Sequence, residues 1–498
     1  METNKASEGR LITISNRLPI VVAREAGGDW RIESGAGGLI TALDPVLRNR
    51  GGVWIGWPGT VQEDGVDIDR LLWRATSDVG YALKPVTLTA EERDKFYLGF
   101  SNEIIWPLFH DFQSRCNFDP SYWTTYESVN RKFAEVTARN SRRSDYIWVH
   151  DYHLINVASE LRALGMPNAL GFFLHIPFPP LDIFLTLPWR FQILRALLDY
   201  DVIGFQTLRD RRNFAQCVRA LLKEVTLQGK GQVITAQVGG RTVRAGVFPI
   251  GIDFQEFSQG AASSTVAEAA WYFHEAFANR TIIFSSDRLD YTKGIPEKLT
   301  ALRHTLNRYP ELRERITLVQ VIVPSREDIP EYSGLKMEIE RLVGEINGQF
   351  TRAAWVPIHY MYQSLSRVDL LAYYRASEIA LITPLKDGMN LVAKEYCAAS
   401  LDGGVLILSE FAGAAAQLQR DALLVNPYDM EGVAAAIHRA WAMAPDERRG
   451  RMRNLRRAIR ERDIFWWVDS FLRAGTARDL DDFTLVEEVV PAWQPNGS

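Results

Sequence analysis

Residues 379–400 read Ile-Ala-Leu-Ile-Thr-Pro-Leu-Lys-Asp-Gly-Met-Asn-Leu-Val-Ala-Lys-Glu-Tyr-Cys-Ala-Ala-Ser, and the fold is decided here. Positions 379–382 form a compact apolar run, and Pro384 prevents a strand there from continuing. Asp387-Gly388 makes a turn, and Asn390 is a candidate N-cap for a helix running through Tyr396. The unit is a buried strand, a tight polar loop and a helix. Backbone amides at such a helix start lack intrahelical acceptors and carry partial positive charge, which suits an anion. Glu395 follows Leu391 by four residues and projects from the same helix face. The stretch can grip a ligand that is both phosphorylated and hydroxylated. A plain core unit, with Asp387 capping and Glu395 solvated, has the same spacing.

Working outward, the unit repeats. Further strands are predicted over 281–285, 318–323, 405–408 and 423–425. In the first half they fall over 11–15, 53–56, 146–149, 170–174 and 202–205, with helices over 126–138, 155–164 and 209–224 between them. A hairpin is predicted over 20–32, turning at 26–29, and a glycine-rich loop at 34–39 precedes a helix over 40–47. Strand–helix alternation of this kind predicts an α/β protein with mostly parallel sheets covered on both faces. With 498 residues, too many for one ordinary core, two Rossmann-like domains are expected. The polar stretch 255–264 reads as the linker between them. A basic helix over 446–462, an aromatic segment over 465–471 and a loosely held tail beyond about 479 complete the chain.

Composition narrows the function. The 47% apolar and 24% charged content is that of a globular protein in water, and a net charge of -4 gives no electrostatic reason to expect nucleic acid or an anionic membrane. The three cysteines, Cys116, Cys217 and Cys397, are scattered without ligand spacing, which predicts a reduced, cytoplasmic setting. The polar start lacks the apolar core of a signal peptide, and the most hydrophobic stretch, 172–184, is too interrupted to span a bilayer. The chain is rich in tryptophan. Trp54, Trp57, Trp106 and Trp123 sit in polar company, where a ring can pack on a sugar or on a core.

In such sheets ligands bind beyond the carboxyl ends of the strands, and the candidate residues fall there. Arg17 closes the first strand, where a guanidinium can take a phosphate with two parallel bonds or simply face solvent. Gly37 and Gly38 allow close backbone approach, although no full dinucleotide fingerprint surrounds them. His150-Asp151-Tyr152-His153 looks superficially like a metal site but has no third spaced ligand, so Asp151 reads as a hydrogen-bonding carboxylate. His175 ends a strand among apolar residues. Arg288 and Lys293 follow the first strand of the second half, where they can neutralise a departing diphosphate or pair with Asp287 and Asp290. Arg326 follows the next strand. The arginine-rich run 451–462 reads as a solvated helix face.

Assembled, these residues resemble the trehalose-6-phosphate synthase family over nearly the whole chain. The likeness rests on Ser-Asn-Arg-Leu-Pro at 15–19, Gly-Gly-Leu at 37–39, Trp-Ile-Gly-Trp-Pro-Gly at 54–59 and Phe-Ser-Asn-Glu-Ile-Ile-Trp-Pro at 100–107. His-Asp-Tyr-His-Leu at 150–154 and Phe-Leu-His-Ile-Pro-Phe-Pro at 173–179 follow. The second half adds Asp-Arg-Leu-Asp-Tyr-Thr-Lys-Gly at 287–294, Pro-Ser-Arg at 324–326 and Asp-Gly-Met-Asn-Leu-Val-Ala-Lys-Glu at 387–395.

The resemblance implies a GT-B fold, two Rossmann-like domains with parallel sheets facing across a cleft. The acceptor domain would cover 1–252, the nucleotide-sugar domain 253–462, and a helix at about 463–478 would return to the first domain, leaving a tail at 479–498. It implies retaining glucosyl transfer from a nucleotide-glucose, most commonly UDP-glucose, to glucose 6-phosphate, by a front-face substitution in which domain closure excludes water. By that likeness Arg17, Trp57, Tyr97, Trp106, Asp151 and Arg326 would bind glucose 6-phosphate. Gly37, Gly38, His175, Arg288, Lys293, Leu365, Asp387, Leu391, Val392, Ala393, Lys394 and Glu395 would bind the donor. Asp151, His175, Arg288, Lys293 and Asp387 would carry the chemistry. Neither cofactor nor metal is expected, and small-molecule substrates are the expected partners.

Gly35, where many members carry serine, Gln417, where a glutamate is common, and a hairpin longer than in the shortest bacterial members depart from the pattern. A glycerol 3-phosphate acceptor and a non-catalytic sugar-phosphate sensor are the rival readings, with a nucleotide-sugar epimerase of two-domain α/β build a distant third. ADP- or GDP-glucose as donor, and homo-oligomer formation, stay open at this level.

Overall fold

The computed structural model describes residues 9–24, 30–35, 38–72, 80–277, 280–325, 330–401, 403–477, 483 and 487–489. The chain forms two compact units, Met1–Ile250 with Ile464–Val486, and Gly251–Asp463 with Glu487–Ser498.

The first unit contains strands β1 (Leu11–Arg17), β2 (Ile20–Arg24), β3 (Trp30–Ser34), β4 (Val53–Trp57), β5 (Ala82–Pro85), β6 (Tyr146–His150), β7 (Leu170–Phe173), β8 (Val202–Phe205), β9 (Thr226–Gln228), β10 (Val233–Val238) and β11 (Arg241–Val247). Its main sheet runs β5-β4-β1-β6-β7-β8-β11-β10-β9, and β2 pairs with β3 as a separate hairpin. Residues 11–16 of β1 are all buried, as a central strand covered on both faces requires. β5 ends in Pro85, which cannot donate to a neighbour, and accordingly lies at the sheet edge.

The second unit contains β12 (Thr281–Arg288), β13 (Ile316–Val323), β14 (Ile358–Tyr362), β15 (Ile379–Ile382), β16 (Val405–Ser409) and β17 (Leu423–Val425). All are parallel, in the order β14-β13-β12-β15-β16-β17. Counted within its own unit this is 3-2-1-4-5-6, the doubly wound Rossmann order. With the hairpin set aside, the first six strands of the other sheet follow the same order. Strand order therefore reverses beside β1 in one sheet, between β1 and β6, and beside β12 in the other, between β12 and β15. Ligands of doubly wound sheets settle at such switch points, outside the strands' carboxyl ends.

The stretch 255–264, read above as a linker, is helical instead. The helix Phe254–Ala262 starts at Asp253, whose carboxylate accepts from the Glu256 amide, and buries Phe254, Phe257 and Ala261. Ser263 then caps Ser264–Ala276. The polar composition belongs to the exposed faces of amphipathic helices, and polarity without periodicity misleads there.

The aromatic segment forms the helix Ile464–Thr476, which packs on the first unit. Phe471 stacks on Trp148 of β6 at 4.5 Å, and Trp467 tilts against the same ring at 4.8 Å. Gly171 and Gly204 make room for it, since a Cβ at either would lie within 3.0 Å of the Phe471 ring. The turn of the β2–β3 hairpin, Gly37, Arg326 and most of the tail fall outside the described residues.

Candidate active site

At the switch point of the first sheet, Arg17 ends β1 and pairs in register with Trp57, the last residue of β4. The guanidinium lies over the Trp57 ring, 4.5 Å from its centroid. Trp57 is held by its own indole N–H, which donates to the Thr60 carbonyl at 2.7 Å, and Tyr97 meets it edge-on at 5.6 Å. Gly59 has φ +101, and a Cβ there would come within 2.5 Å of Arg17 Nη1. Glycine leaves the guanidinium its place. Arg17 reaches solvent on one side but is ringed by protein elsewhere, and that desolvation lowers its pKa from the usual arginine value. Among the described residues no carboxylate pairs with it. A cation framed by rings, with no carboxylate partner among the described residues, can take an anion.

Tyr97 rides on a π-helix, Arg93–Ile105, which delivers Trp106 at its end. Wide helical turns of this kind re-aim side chains and gather at functional sites. The Asn102 amide ties the turn down by donating to the Tyr97 carbonyl at 2.5 Å and accepting from the Tyr152 hydroxyl at 3.1 Å. Rings then run from Tyr97 through His153 and Tyr152 to Trp106, with centroid spacings of 5.9, 3.9 and 5.8 Å. Asp151, just past β6, has φ 75, a conformation L-residues rarely adopt. Its amide donates to the Phe173 carbonyl at 2.8 Å, and its Oδ1 accepts from the His175 amide at 3.2 Å. Arg17, Trp57, Tyr97, Trp106 and Asp151 thus gather at the carboxyl edge of one sheet from four separate chain segments.

Trp54, Trp57, Trp106 and Trp123 are all buried. Both nitrogens of the buried His175 ring are engaged inside the protein, one with His150 and one with Gln206, and burial pushes its pKa down to about 3. Gly38 opens the helix Gly38–Arg50. Gly35 is set by packing, for a Cβ there would lie 2.8 Å from the Pro19 carbonyl carbon.

At the switch point of the second sheet, Arg288 is the exposed last residue of β12. Asp290 caps the following turn, accepting from the Thr292 amide at 2.9 Å. Lys293 at the turn's end donates to Asp387 Oδ2 at 2.6 Å, with both side chains largely buried. Lys298 pairs with Asp287 at 2.5 Å, so that aspartate is taken up by a lysine other than Lys293. Asp387 also accepts from the Met389 amide at 3.1 Å and the Asn390 side chain at 3.2 Å.

Asn390 caps the helix Leu391–Ala399 from a left-handed conformation, φ 63, its Oδ1 accepting from the Ala393 amide at 3.1 Å. The loop is stitched to residues 411–414 by bonds from Asp387 N to Phe411 O, Gly413 N to Asp387 O and Ala414 N to Met389 O, at 3.2, 2.9 and 2.8 Å. Lys394 turns into the core, and burial pushes its ammonium down to about 7. Glu395 accepts from the Tyr374 hydroxyl at 2.9 Å, and burial raises its pKa. Leu365 is half-buried between β14 and the helix Arg367–Ala376. The region offers the opening amides of a capped helix, a lysine–aspartate pair and a carboxylate one turn into the helix. Gln417, departing from the common glutamate, donates to the Ala458 carbonyl at 2.8 Å, which a carboxylate could not do.

Sequence reading missed Gln206, His150 as the partner of His175, and the Asn102 clamp. Gln206 stands directly after β8, and His175 just past β7, and strand-end position was the signal that could have found it. Among the described residues, no group of three or more His, Cys, Asp or Glu is placed to hold a metal ion, and no helix is long and apolar enough to cross a membrane.

Two doubly wound sheets, each with a polar cluster at its switch point, define a two-domain Rossmann-like protein whose ligands bind at the strands' carboxyl ends. The model of glycosyltransferase family 20 matches residues 9–476, and the chain belongs to that family. It is 42% identical to the trehalose-6-phosphate synthase of Mycolicibacterium vanbaalenii over 94% of this chain and 96% of the relative. It is also 42% identical to that of Mycobacterium leprae over 94% and 95%. Among solved structures, it is similar to a UDP-forming α,α-trehalose-phosphate synthase from Burkholderia xenovorans in complex with glucose-6-phosphate. The TM-score is 0.85 and the identity 35%, over 94% of this chain and 100% of that one. An E. coli structure bound with UDP-2-fluoro glucose matches with a TM-score of 0.83 and 36% identity, over 94% and 99%.

Proposed function

We propose that this protein transfers glucose from a nucleotide-glucose, UDP-glucose foremost, to glucose 6-phosphate with retention, giving α,α-trehalose 6-phosphate. The observation that carries the reading is Arg17, a strand-end cation lying on the Trp57 ring, with no carboxylate partner among the described residues, beside a wall of polar aromatics. That is the chemistry of a sugar-phosphate acceptor site. The names of the relatives, and the glucose-6-phosphate and UDP-2-fluoro glucose bound by structural neighbours, support it.

In this reading Arg17, Tyr97 and Arg326 take the acceptor phosphate, while Trp57, Trp106 and Asp151 position its sugar. By the family likeness Gly37, Gly38 and His175 belong to the donor set. The backbone at Leu365 meets the base, the helix start at Leu391, Val392, Ala393 and Lys394 meets the diphosphate, and Glu395 meets the ribose. The bond from the donor's anomeric carbon to the diphosphate oxygen breaks, and the acceptor's anomeric hydroxyl oxygen bonds to that carbon on the same face. The hydroxyl proton passes to the departing diphosphate, whose growing charge Arg288, Lys293 and the helix amides stabilise. Asp387, bonded to Lys293, holds that ammonium in place.

The test is to incubate the purified protein with glucose 6-phosphate and UDP-, ADP- or GDP-glucose, following nucleotide release and the anomeric configuration of the product by NMR. Trehalose 6-phosphate with UDP-glucose is expected. Its absence with all three donors would overturn the reading, and a β-linked product would overturn retention.

A further inference from the structure

We infer that Gln206 is a positioning residue for the transfer site, acting with His150 to hold the His175 imidazole as the tautomer protonated on Nε2. The inference deepens the transfer reading above and rests on it. Three neighbouring parallel strands end here side by side: His150 closes β6, His175 lies just past β7, and Gln206 directly follows β8. All three side chains are buried.

The direction of the chain of bonds follows from its first link. The Ile250 backbone N–H donates to Gln206 at 2.9 Å, and an N–H can only donate, so the atom it meets is the amide oxygen. The other end of the amide is then the NH2 group, which faces His175 Nδ1 at 3.4 Å. Nδ1 must accept. A neutral His175 therefore carries its proton on Nε2, which points at His150 Nδ1 at 3.1 Å and leaves the His150 proton on its own Nε2.

Adding a second proton to His175 would set two donors face to face across the Gln206 contact. Burial acts in the same direction, lowering both histidines, with His150 further disfavoured in its charged form by His175. The titratable groups facing one another are His150, His175 and Asp151, while Trp148, Phe173 and Trp467 close other sides at ring spacings of 4.5 to 6.2 Å. The consequence reaches the acceptor site through the main chain, because the His175 amide donates to Asp151 Oδ1 at 3.2 Å. A ring pinned at both nitrogens fixes that amide, and with it the carboxylate of a residue held at φ 75.

The experiment is long-range proton–nitrogen NMR of the full chain labelled with 15N-histidine, with His150→Gln and His175→Gln for assignment. Both rings are expected as Nε2–H tautomers that do not titrate between about pH 8 and pH 5.5. Gln206→Glu keeps an acceptor for Ile250 but removes the donor facing Nδ1, and should move the His175 proton to Nδ1 or produce imidazolium. Gln206→Met should release the ring. Both variants are expected to lower kcat on the order of tenfold or more, while the dissociation constant of UDP stays within about twofold.

An Nδ1–H tautomer in the wild type, or variants with kcat within about twofold of it, would overturn this inference and leave the transfer reading standing. If the variants fail to fold, the wild-type spectrum still decides. Failure of the wild type to make trehalose 6-phosphate would instead overturn the transfer reading, since the spectrum needs no turnover.

Discussion

Replacing Arg17 by methionine separates binding from folding in a way the geometry makes quantitative. A guanidinium gripping a phosphate forms two parallel charge-assisted bonds worth about 1.5–3 kcal/mol each, and part of that remains with neighbouring donors. A net loss of about 3–4 kcal/mol corresponds to roughly 10²- to 10³-fold weaker binding of glucose 6-phosphate. Folding should respond differently. The variant loses a cation–π contact with Trp57 worth about 0.5–2 kcal/mol, but it also removes a partly solvated charge that has no carboxylate partner among the described residues, a smaller gain because solvent screens it. The two terms oppose, and the net change in unfolding free energy should stay within about 1 kcal/mol.

Calorimetric titration with glucose 6-phosphate and urea unfolding of the same preparations measure both numbers. Arg17→Lys should fall between the two, keeping the charge and losing the fork. Less than about tenfold weakening by Arg17→Met, or destabilisation beyond about 2 kcal/mol, would show that Arg17 is a structural cation and refute the acceptor-site argument.

Three further outcomes follow from particular contacts. Asp287→Asn leaves the Lys298 ammonium, whose side chain is 0% exposed, without its carboxylate; urea unfolding should show a loss of about 3–5 kcal/mol, and a loss under about 1 kcal/mol would contradict the pairing. Gly413→Ala would set a Cβ 1.8 Å from the Gly388 carbonyl oxygen, so the stitched loop around Asp387 must shift. Weaker UDP binding with glucose 6-phosphate affinity unchanged is expected, and equal loss of both would contradict the division of the site.

His175 has a folded pKa of about 3 against an ordinary value of 6.5. Both states are neutral above 6.5, while below it only the unfolded chain takes the proton. Its stabilisation is therefore whole above pH 6.5 and is lost progressively as pH falls towards 3, at about 1.4 kcal/mol per pH unit. The difference between wild type and His175→Gln in urea unfolding at about pH 7.5 and 5.5 isolates that slope, and equal slopes would refute it.

Where the signal was local, sequence and structure coincide. The apolar run at β15 stops before Pro384, and Asn390 caps the next helix, because strand burial and capping depend on residues within a few positions. The linker expectation over 255–264 failed because composition was weighed without periodicity: Phe254, Phe257 and Ala261 recur at helical spacing. The π-helix at 93–105 also escaped, since its wider turn matches no standard period. The hairpin β10–β11, turning at Gly239 and Gly240, carried an alternating pattern that was there to be read.

What the sequence by itself determined is the alternating α/β character, most of the strands, the caps and, through long motifs in order, the family. Periodicity and capping are short-range physics, and they are written residue by residue. Only the tertiary structure decided which strand ends stand side by side. It set Arg17 over Trp57, placed Lys293 on Asp387 across 94 positions of chain, and drew His150, His175 and Gln206 into one bonded row. Those pairings depend on strand order and on where the chain crosses over, and both are settled by the packing of whole sheets and helices, which no local window contains.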